Sequence, residues 1–212
     1  MRGSRTRSGA SIARLSHDTA VHESTASCGL KRLLPGNRLK DRSTPTRPNE
    51  VWVGDITYIP TKEGWLNLAA IMDRCTRKIT GHSVATHMEE SLVREAPIGA
   101  VERYTPEEGL LHHTDRGCQY TSRAYQALLA DLKFEASFSG KGNCYDNAAM
   151  ESFFATLKTE LLPDSGVFET RDQARSEIFE YIEIFYNRKR LQSALEYQSP
   201  VDFENNLHYN LN

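Results

Sequence analysis

Three strand-like runs between residues 51 and 86 constrain the fold of this 212-residue chain more than any other feature. They cover about 51–60, 64–73 and 77–86. The first, VWVGDITYIP, is rich in the β-branched and aromatic residues that favour strands. The connections, Lys62 to Gly64 and Arg74 to Arg77, have lengths that suit hairpins. The sequence therefore predicts three consecutive antiparallel strands.

Helices and strands alternate in the rest of the chain. After a helical pattern over 88–104 come a strand near 109–114, a helix near 121–132 and a strand near 133–138. A strand, a helix and a strand in that order predict a parallel crossover. Apolar residues at helical spacing predict two further helices, one around Glu151 and one over 171–187.

Pro97 and Gly99 interrupt the first of these helical patterns. A proline inside a helix removes a hydrogen bond and clashes with the preceding turn, at a cost of about 3 kcal/mol. We therefore expect a kink or a split in this helix.

Three acidic residues stand where the local pattern does not explain them. Asp55 lies in the middle of the first strand, Asp115 follows the strand near 109–114, and Glu151 lies off the apolar stripe of its helix. Asp55 lies 60 residues before Asp115, and 35 residues separate Asp115 from Glu151. Lys158, seven residues after Glu151, returns to the same helix face. Asp73, by contrast, ends the second strand and is better explained as a turn or ion-pair acid.

This order of acids resembles the catalytic domain of retroviral integrases and bacterial insertion-sequence transposases. The strings WVGDITYIPT, HHTDRGCQY, KGNCYDNAAMESFFATLKTE and YIEIFYNRKR resemble the bacterial transposases more closely, and the match runs from about Pro48 to Phe203. The resemblance implies a DDE transposase or integrase that cleaves and transfers DNA strands when an insertion sequence moves. It also implies an α/β, ribonuclease H-like fold. In that fold helices flank a five-stranded mixed sheet of three antiparallel and then two parallel strands.

The resemblance assigns Asp55 and Asp115 as shared metal ligands and Glu151 as the third ligand, and makes these three the catalytic residues. Clustered carboxylates repel one another unless a cation is present. Hard oxygen ligands without cysteine or histidine select Mg²⁺ or Mn²⁺, and two ions would serve an in-line displacement at phosphorus. His113 shares the strand face of Asp115 and is a weaker candidate for the site. Gly117 is expected to let the backbone turn close to the metals.

Basic residues near the predicted site are candidates for DNA contact. Lys158 matches the basic residue that the family has seven positions after its glutamate. Lys141 lies in the glycine-rich loop SGKGN, for which a plain flexible connection is an equal alternative. Arg188, Lys189 and Arg190 follow an aromatic helix, and lysine and arginine dominate nonspecific affinity for DNA.

The net charge of −2 conceals an asymmetry along the chain. Residues 1–48 hold 10 Lys and Arg against 3 Asp and Glu, and the remainder holds 16 against 25. We interpret 1–48 as a basic, mostly disordered arm. Residues 49–205 are interpreted as an integrase-like catalytic domain that includes a C-terminal helix and a basic tail. The ending RLQSALEYQSP resembles a family ending RxHSALGYxSP, with Gln192 and Glu196 in place of the histidine and the glycine.

The spacing of the cysteines and the hydropathy of the chain indicate whether a zinc site, disulfides or a membrane segment is to be expected. The four cysteines form no CxxC pair and no close cluster with histidine, so neither zinc nor a disulfide framework is implied. No apolar run approaches the ~18 residues of a membrane span. These features predict a cytoplasmic protein without a membrane segment. The resemblance implies transposon ends and target DNA as partners, a homo-oligomer on DNA, and a separate helix-turn-helix protein encoded upstream.

Two other functions stay open at this point. A ribonuclease H-like or resolvase-like nuclease shares the fold but resembles a different acid arrangement, with a glutamate on the first helix. This chain offers Glu89, Glu90 and Glu95 there. The other alternative is a non-catalytic remnant that binds DNA or partner subunits. The intact set of three acids argues against decay at the site, whereas residues 1–44 do not match the DNA-binding and linker sequence that the related transposases have at this position.

Overall fold

Five strands form one mixed sheet in the order β3-β2-β1-β4-β5. The computed structural model describes residues 34–40, 42–140 and 147–210. Strands β1, β2 and β3 pair antiparallel, and β4 and β5 extend the sheet in parallel from β1. This arrangement confirms the predicted order of three antiparallel and two parallel strands. The strands are β1 Val51–Thr61, β2 Gly64–Asp73, β3 Ile79–Ala85, β4 Leu111–Thr114 and β5 Glu135–Phe138.

Five α-helices lie among the described residues, and the last of them has no counterpart in the sequence prediction. Its start combines two ordinary signals, because Ser199 caps the backbone N–H of Asp202 and Pro200 takes the first helical position. A π-helical segment, Tyr181–Tyr186, continues α4 directly. The helices are α1 Glu90–Tyr104, α2 Arg123–Asp131, α3 Ala148–Leu161, α4 Arg171–Glu180 and α5 Pro200–Asn210. No described helix has both the length and the apolar character needed to cross a membrane.

The sheet separates two apolar clusters because successive side chains of a strand point to opposite faces. Val51 and Val53 of β1 face α3 and α4, where Leu157 lies in the same cluster. Trp52, between them, faces α1 and α2 and packs its ring edge-on against Phe134. Helix α3, which carries Glu151, is thereby fixed against the same sheet face as the odd-numbered residues of β1.

Helix α1 runs without a break through Pro97, so the predicted split is wrong. Pro97 is buried, and α1 packs closely on β3. A Cβ atom added at Gly81 of β3 would lie 2.2 Å from the carbonyl oxygen of Ala96. Burial of this helix face offsets the hydrogen bond that the proline cannot make.

The described part of the N-terminal arm packs on the sheet. Leu39 is buried in the cluster of α3 and α4. The Arg38 backbone N–H donates to the Ser137 hydroxyl at 3.0 Å, and Arg38 and Arg42 pair with Glu135 at the exposed edge of β5. Through these contacts residues 34–40 and 42–48 continue the domain. Residues 1–33 lie outside the described part of the chain.

Candidate active site

Strand pairing brings Asp55 and Asp115 side by side. In the parallel ladder of β1 and β4, Gly54 is the partner of Thr114. The next residue on each strand is an aspartate, and the parallel register carries both carboxylates to the same edge of the sheet. Asp55 is mostly buried within β1, whereas Asp115 is exposed just beyond the end of β4.

Gly117 shapes the turn after β4. Its backbone N–H donates to the Asp115 carboxylate at 2.8 Å. A Cβ atom at this position would lie 3.0 Å from the same carboxylate oxygen, which is tighter than ordinary contact. The absence of a side chain therefore lets the loop fold closely over Asp115, as the sequence predicts.

Asn147 connects α3 to Asp55. It occupies the N-cap position of α3 and donates its Nδ2–H to an Asp55 carboxylate oxygen at 2.8 Å. The other oxygen accepts the Ile56 backbone N–H at 2.8 Å. The Asn147 side-chain oxygen is buried and has no partner in the described part of the chain. The sequence analysis missed this contact, although Asn147 lies four residues before Glu151 on the same helix face.

The three acids sense one another electrostatically. The pKa of Asp55 is raised from 3.8 to about 6, chiefly because burial disfavours the charged carboxylate. The charges of Asp115 and Glu151 also raise this pKa, and the hydrogen bonds from Ile56 and Asn147 lower it. Burial likewise raises the pKa of the Tyr120 hydroxyl, and both aspartates contribute to that shift. Glu151 itself is exposed in the first turn of α3. The site therefore holds more negative charge than its own residues neutralise.

The chemistry of these donors suits a divalent cation. They are carboxylate and amide oxygens, the ligands that Mg²⁺ prefers, and the unpartnered oxygen of Asn147 is one of them. Within residues 34–40, 42–140 and 147–210, no three acidic, histidine or cysteine side chains are already gathered closely enough to hold an ion. Convergence of Asp55, Asp115 and Glu151 on one metal position stays a prediction.

Two models of the integrase core domain match the chain, one over residues 45–144 and the other over residues 151–207. Together they cover both aspartates, Glu151 and the C-terminal tail. The chain belongs to the integrase core domain family. In this integrase core, Asp55, Asp115 and Glu151 follow one another along the chain in the order on which the resemblance described above depends.

Relatives of this integrase core are insertion-sequence proteins. It is 54% identical over 159 residues to the transposase of insertion sequence element IS904 from Lactococcus lactis, covering 75% of this chain and 62% of that protein. It is 46% identical over 172 residues to a 31 kDa protein of IS600 from Shigella sonnei, covering 81% of this chain and 63% of that protein. The transposase InsF of IS3 from Escherichia coli is 42% identical over 169 residues, which are 80% of this chain and 58% of InsF. The chain thus spans about three fifths of the length of the curated relatives it matches.

Solved structures of viral integrases share the fold. The catalytic core of BIV integrase matches 76% of this chain and 97% of its own length, with a TM-score of 0.56 and 18% identity. The HTLV-2 integrase catalytic core in complex with magnesium matches 74% of this chain and 97% of its own length, with a TM-score of 0.56 and 14% identity. The ribonuclease H-like fold predicted for the integrase core is confirmed.

His113 and Asp73 hold the fold of this integrase core together. Both ring nitrogens of the buried His113 make hydrogen bonds to serine hydroxyls, at 2.9 Å to Ser137 and 3.0 Å to Ser139. His113 thereby ties β4 to β5, and these contacts give no support to a catalytic role. Asp73 accepts the backbone N–H groups of Asn49 and Thr76, which confirms its interpretation as a turn acid.

The predicted DNA-contacting residues differ in their exposure and in their partners within the integrase core. Arg190 makes a two-pronged ion pair with Glu160 of α3, with Nη2 to Oε1 at 2.8 Å and Nε to Oε2 at 2.9 Å. Arg188 donates to the Glu183 carbonyl at 3.1 Å but is exposed, as is Lys189. Lys158 is half-buried on α3. Lys141 lies outside the described residues.

Proposed function

We propose that this chain is the catalytic part of an insertion-sequence transposase, which cleaves DNA at transposon ends and joins those ends to target DNA. One observation carries the proposal. Asp55 within β1 and Asp115 just beyond the end of β4 follow paired positions of adjacent parallel strands, and the charges of Asp115 and Glu151 both raise the pKa of Asp55. The similarity to the IS904 and IS3 transposases supports the same reaction.

Asp55, Asp115 and Glu151 would hold two divalent cations, Mg²⁺ or Mn²⁺, because an in-line displacement at phosphorus uses a pair of ions. When bound, such ions activate the attacking oxygen and stabilise the leaving oxygen. Asn147 holds one oxygen of Asp55 and leaves its own amide oxygen available to the site. The magnesium complex of the HTLV-2 integrase core supports this choice of metal.

DNA is the proposed partner, both as transposon end and as target. Lys158 lies on the Glu151 side of α3 and would hold the strand near the cleaved bond. Arg188 and Lys189 are exposed and would contact phosphates further along the duplex. Arg190 is held by Glu160 and would contribute less. A homo-oligomer on DNA and a separate helix-turn-helix protein encoded upstream complete the proposal.

The nuclease alternative with a glutamate on the first helix gains no support from α1. Glu95 accepts a hydrogen bond from Ser83 of β3 at 2.7 Å, and Glu90 pairs with Arg94 of its own helix. Glu95 is therefore engaged with the strand that α1 packs on, and Glu90 with its own helix.

Cleavage and joining of labelled duplexes that carry the element's inverted repeats test the proposal. We expect activity with Mg²⁺ or Mn²⁺, none in chelator, and a loss of roughly a thousandfold or more in Asp115→Asn, the scale seen when one member of a catalytic set is removed. Asp131→Asn, an exposed acid of α2, is the matched control and should keep full activity. Undiminished activity in Asp115→Asn or in chelator would refute the proposed function.

A further inference from the structure

A groove of about 500 Å³ lies between α3 and the C-terminal tail. Ser152 and Thr156 line its α3 wall, and Ser193 and Tyr197 line the tail wall. Residues 152 and 156 are about 100° and 140° around the helix from Glu151. The groove is therefore on the other flank of α3 from the catalytic acids, and the proposed reaction does not use it. Of the predicted DNA contacts among the described residues, Arg190 alone lines it.

The lining of the groove combines polar and cationic side chains with apolar ones. Ser152, Thr156 and Ser193, which carry hydroxyl groups, line it with Arg77 and Arg190, and apolar residues such as Phe153 and Leu191 line the rest. Arg190 is already paired with Glu160. No carboxylate of the described residues pairs with the Arg77 guanidinium, so its charge is available to an anion. Arginine and hydroxyl groups in one groove match the oxygens of a phosphodiester.

Tyr197 presents an aromatic face at the rim of this groove. Its side chain is 72% exposed, and no other ring of the described residues packs against it. The turn that presents it is unusual, because Glu196 and Tyr197 have φ angles of 54° and 59°, in the left-handed region. Hydrogen bonds of 2.9 Å from Tyr197 N–H to the Gln192 carbonyl and 3.0 Å from Gln192 N–H to the Gln198 carbonyl hold that turn. A strained turn that keeps a tyrosine in solvent is typical of a contact site.

We propose that this groove binds a nucleotide of single-stranded DNA, with Tyr197 stacking on the base and Arg77 contacting the phosphate. The proposal rests on the proposed function, because cleavage next to Glu151 frees a strand end. Helix α3 is about 10 Å wide, so only a few nucleotides are needed to cross it from the acids to the groove. A volume of about 500 Å³ accommodates one nucleotide. An aromatic platform beside a cation is the usual composition of sites for single strands.

Binding of a fluorescein-labelled single-stranded oligothymidine of about twelve nucleotides to the full chain tests the proposal. Anisotropy is measured in chelator, at two salt concentrations, so that catalysis plays no part. We expect Tyr197→Ala to weaken binding by about fivefold or more and Tyr197→Phe to preserve it, because stacking needs the ring and not the hydroxyl. Tyr58→Ala, at another exposed aromatic residue, should leave the affinity unchanged. Arg77→Gln should weaken binding and reduce the salt slope by about 0.7.

Equal affinity of wild type, Tyr197→Ala and Arg77→Gln for the oligothymidine would overturn the proposal. So would variants that change the sedimentation mass but not the oligonucleotide affinity, because the groove would then be a contact between copies of the chain. Thermal unfolding checks that each variant folds. If Arg77→Gln does not fold, the comparison of Tyr197→Ala with Tyr197→Phe decides the proposal by itself. Intact oligothymidine binding without any metal-dependent cleavage would refute the proposed function and leave this site standing.

Discussion

At the scale of single residues, Asp55 bears the largest electrostatic cost in the site. Its carboxylate is mostly buried in β1, and the charges of Asp115 and Glu151 act on it. Two hydrogen bonds, from Ile56 N–H and Asn147 Nδ2, compensate only in part. Protonation of Asp55 or binding of a cation relieves this cost. The contribution of Asp55 to stability should therefore depend on both pH and metal.

We expect Asp55→Asn to stabilise the metal-free protein at pH 8. The folded-state pKa of about 6 is above the ordinary value of 3.8, so the unfolded chain binds fewer protons between these values. Stability from this group is therefore present below about pH 4 and is lost as pH rises through about 6. The amide should raise the free energy of unfolding by about 3 kcal/mol at pH 8 and by little near pH 4.

Urea unfolding in chelator at several pH values measures this difference. Asp131→Asn, which replaces an exposed acid, is the control and should behave as wild type throughout. A gain in Asp55→Asn that is the same at pH 8 and pH 4 would mean that the charge of Asp55 is not its cause.

Glu196 stands where the related ending has glycine, and its backbone explains the family's preference. Its φ angle is 54°, in the left-handed region that costs an L-residue about 1 kcal/mol. We expect Glu196→Gly to stabilise the protein by about 1 kcal/mol. Glu196→Ala removes the same side chain but keeps the strain, so it should bring no gain. Thermal unfolding of both variants separates the two effects, and equal stability of the two would contradict the explanation by strain.

At the scale of elements, the contact between α1 and β3 depends on Gly81. A Cβ atom there would meet the Ala96 carbonyl oxygen at 2.2 Å and the Ala100 side chain at 2.8 Å. A backbone atom cannot rotate away as a side chain can. The close approach of helix and strand is therefore possible only without a side chain at this position.

We expect Gly81→Ala to destabilise the protein by about 1–3 kcal/mol, the usual range for overpacking. Gly99→Ala is the matched control on α1. Nothing lies within 4 Å of a Cβ atom at Gly99, so alanine should gain up to about 1 kcal/mol there by favouring the helix. Denaturant unfolding of the two variants measures the expected loss of stability in Gly81→Ala and the expected gain in Gly99→Ala. A stable Gly81→Ala would mean that α1 can move away from β3 at little cost.

Helix α3 connects the candidate active site to the C-terminal tail. One flank carries Glu151 and Lys158, and the opposite flank carries Glu160, which pairs with Arg190 of the tail. The Arg190 hydrogen bonds lower the pKa of Glu160, and the Tyr181 hydroxyl donates to the same carboxylate at 2.7 Å. The pair is partly exposed, so it contributes little to stability, but it fixes the tail against the helix that carries the third acid.

At the scale of the whole molecule, charge is distributed unevenly along the chain. Residues 49–212 hold 16 basic against 25 acidic residues, and residues 1–48 hold 10 against 3. We therefore expect the domain that carries the acids to repel DNA at long range, and attraction to depend on the arm and on local cations such as Lys158 and Arg188.

We expect the purified chain to bind DNA weakly, with steep dependence on salt and little preference for transposon ends. Phosphate contacts give such binding, whereas base readout needs an element in a groove, and the sequence has no convincing helix-turn-helix. Titration against end and scrambled duplexes at two salt concentrations measures it. A preference for the ends of about a hundredfold or more that persists at high salt would reveal a base-reading element in residues 1–48.

The sequence by itself determined the strands, their order and the three acids. Alternation of apolar residues reports which face of an element is buried, and this local signal located β1 to β5 and placed Glu151 off the apolar face of α3. It also identified Asp73 as a turn acid, because its main partner, Thr76, lies only three residues away. The spacing of Asp55, Asp115 and Glu151 indicated the family before any contact was known.

Tertiary structure alone decided which distant groups meet. Asn147 donates to Asp55 across 92 residues of chain, and His113 contacts Ser137 and Ser139 of the next strand. Arg190 was expected on DNA but is held by Glu160, 30 residues earlier. Helix α1 stays whole through Pro97 because of its packing on β3. Periodicity carries no information on such contacts. It predicts the local structure around each residue, whereas a hydrogen bond depends on the distance between two groups that can lie far apart in the sequence.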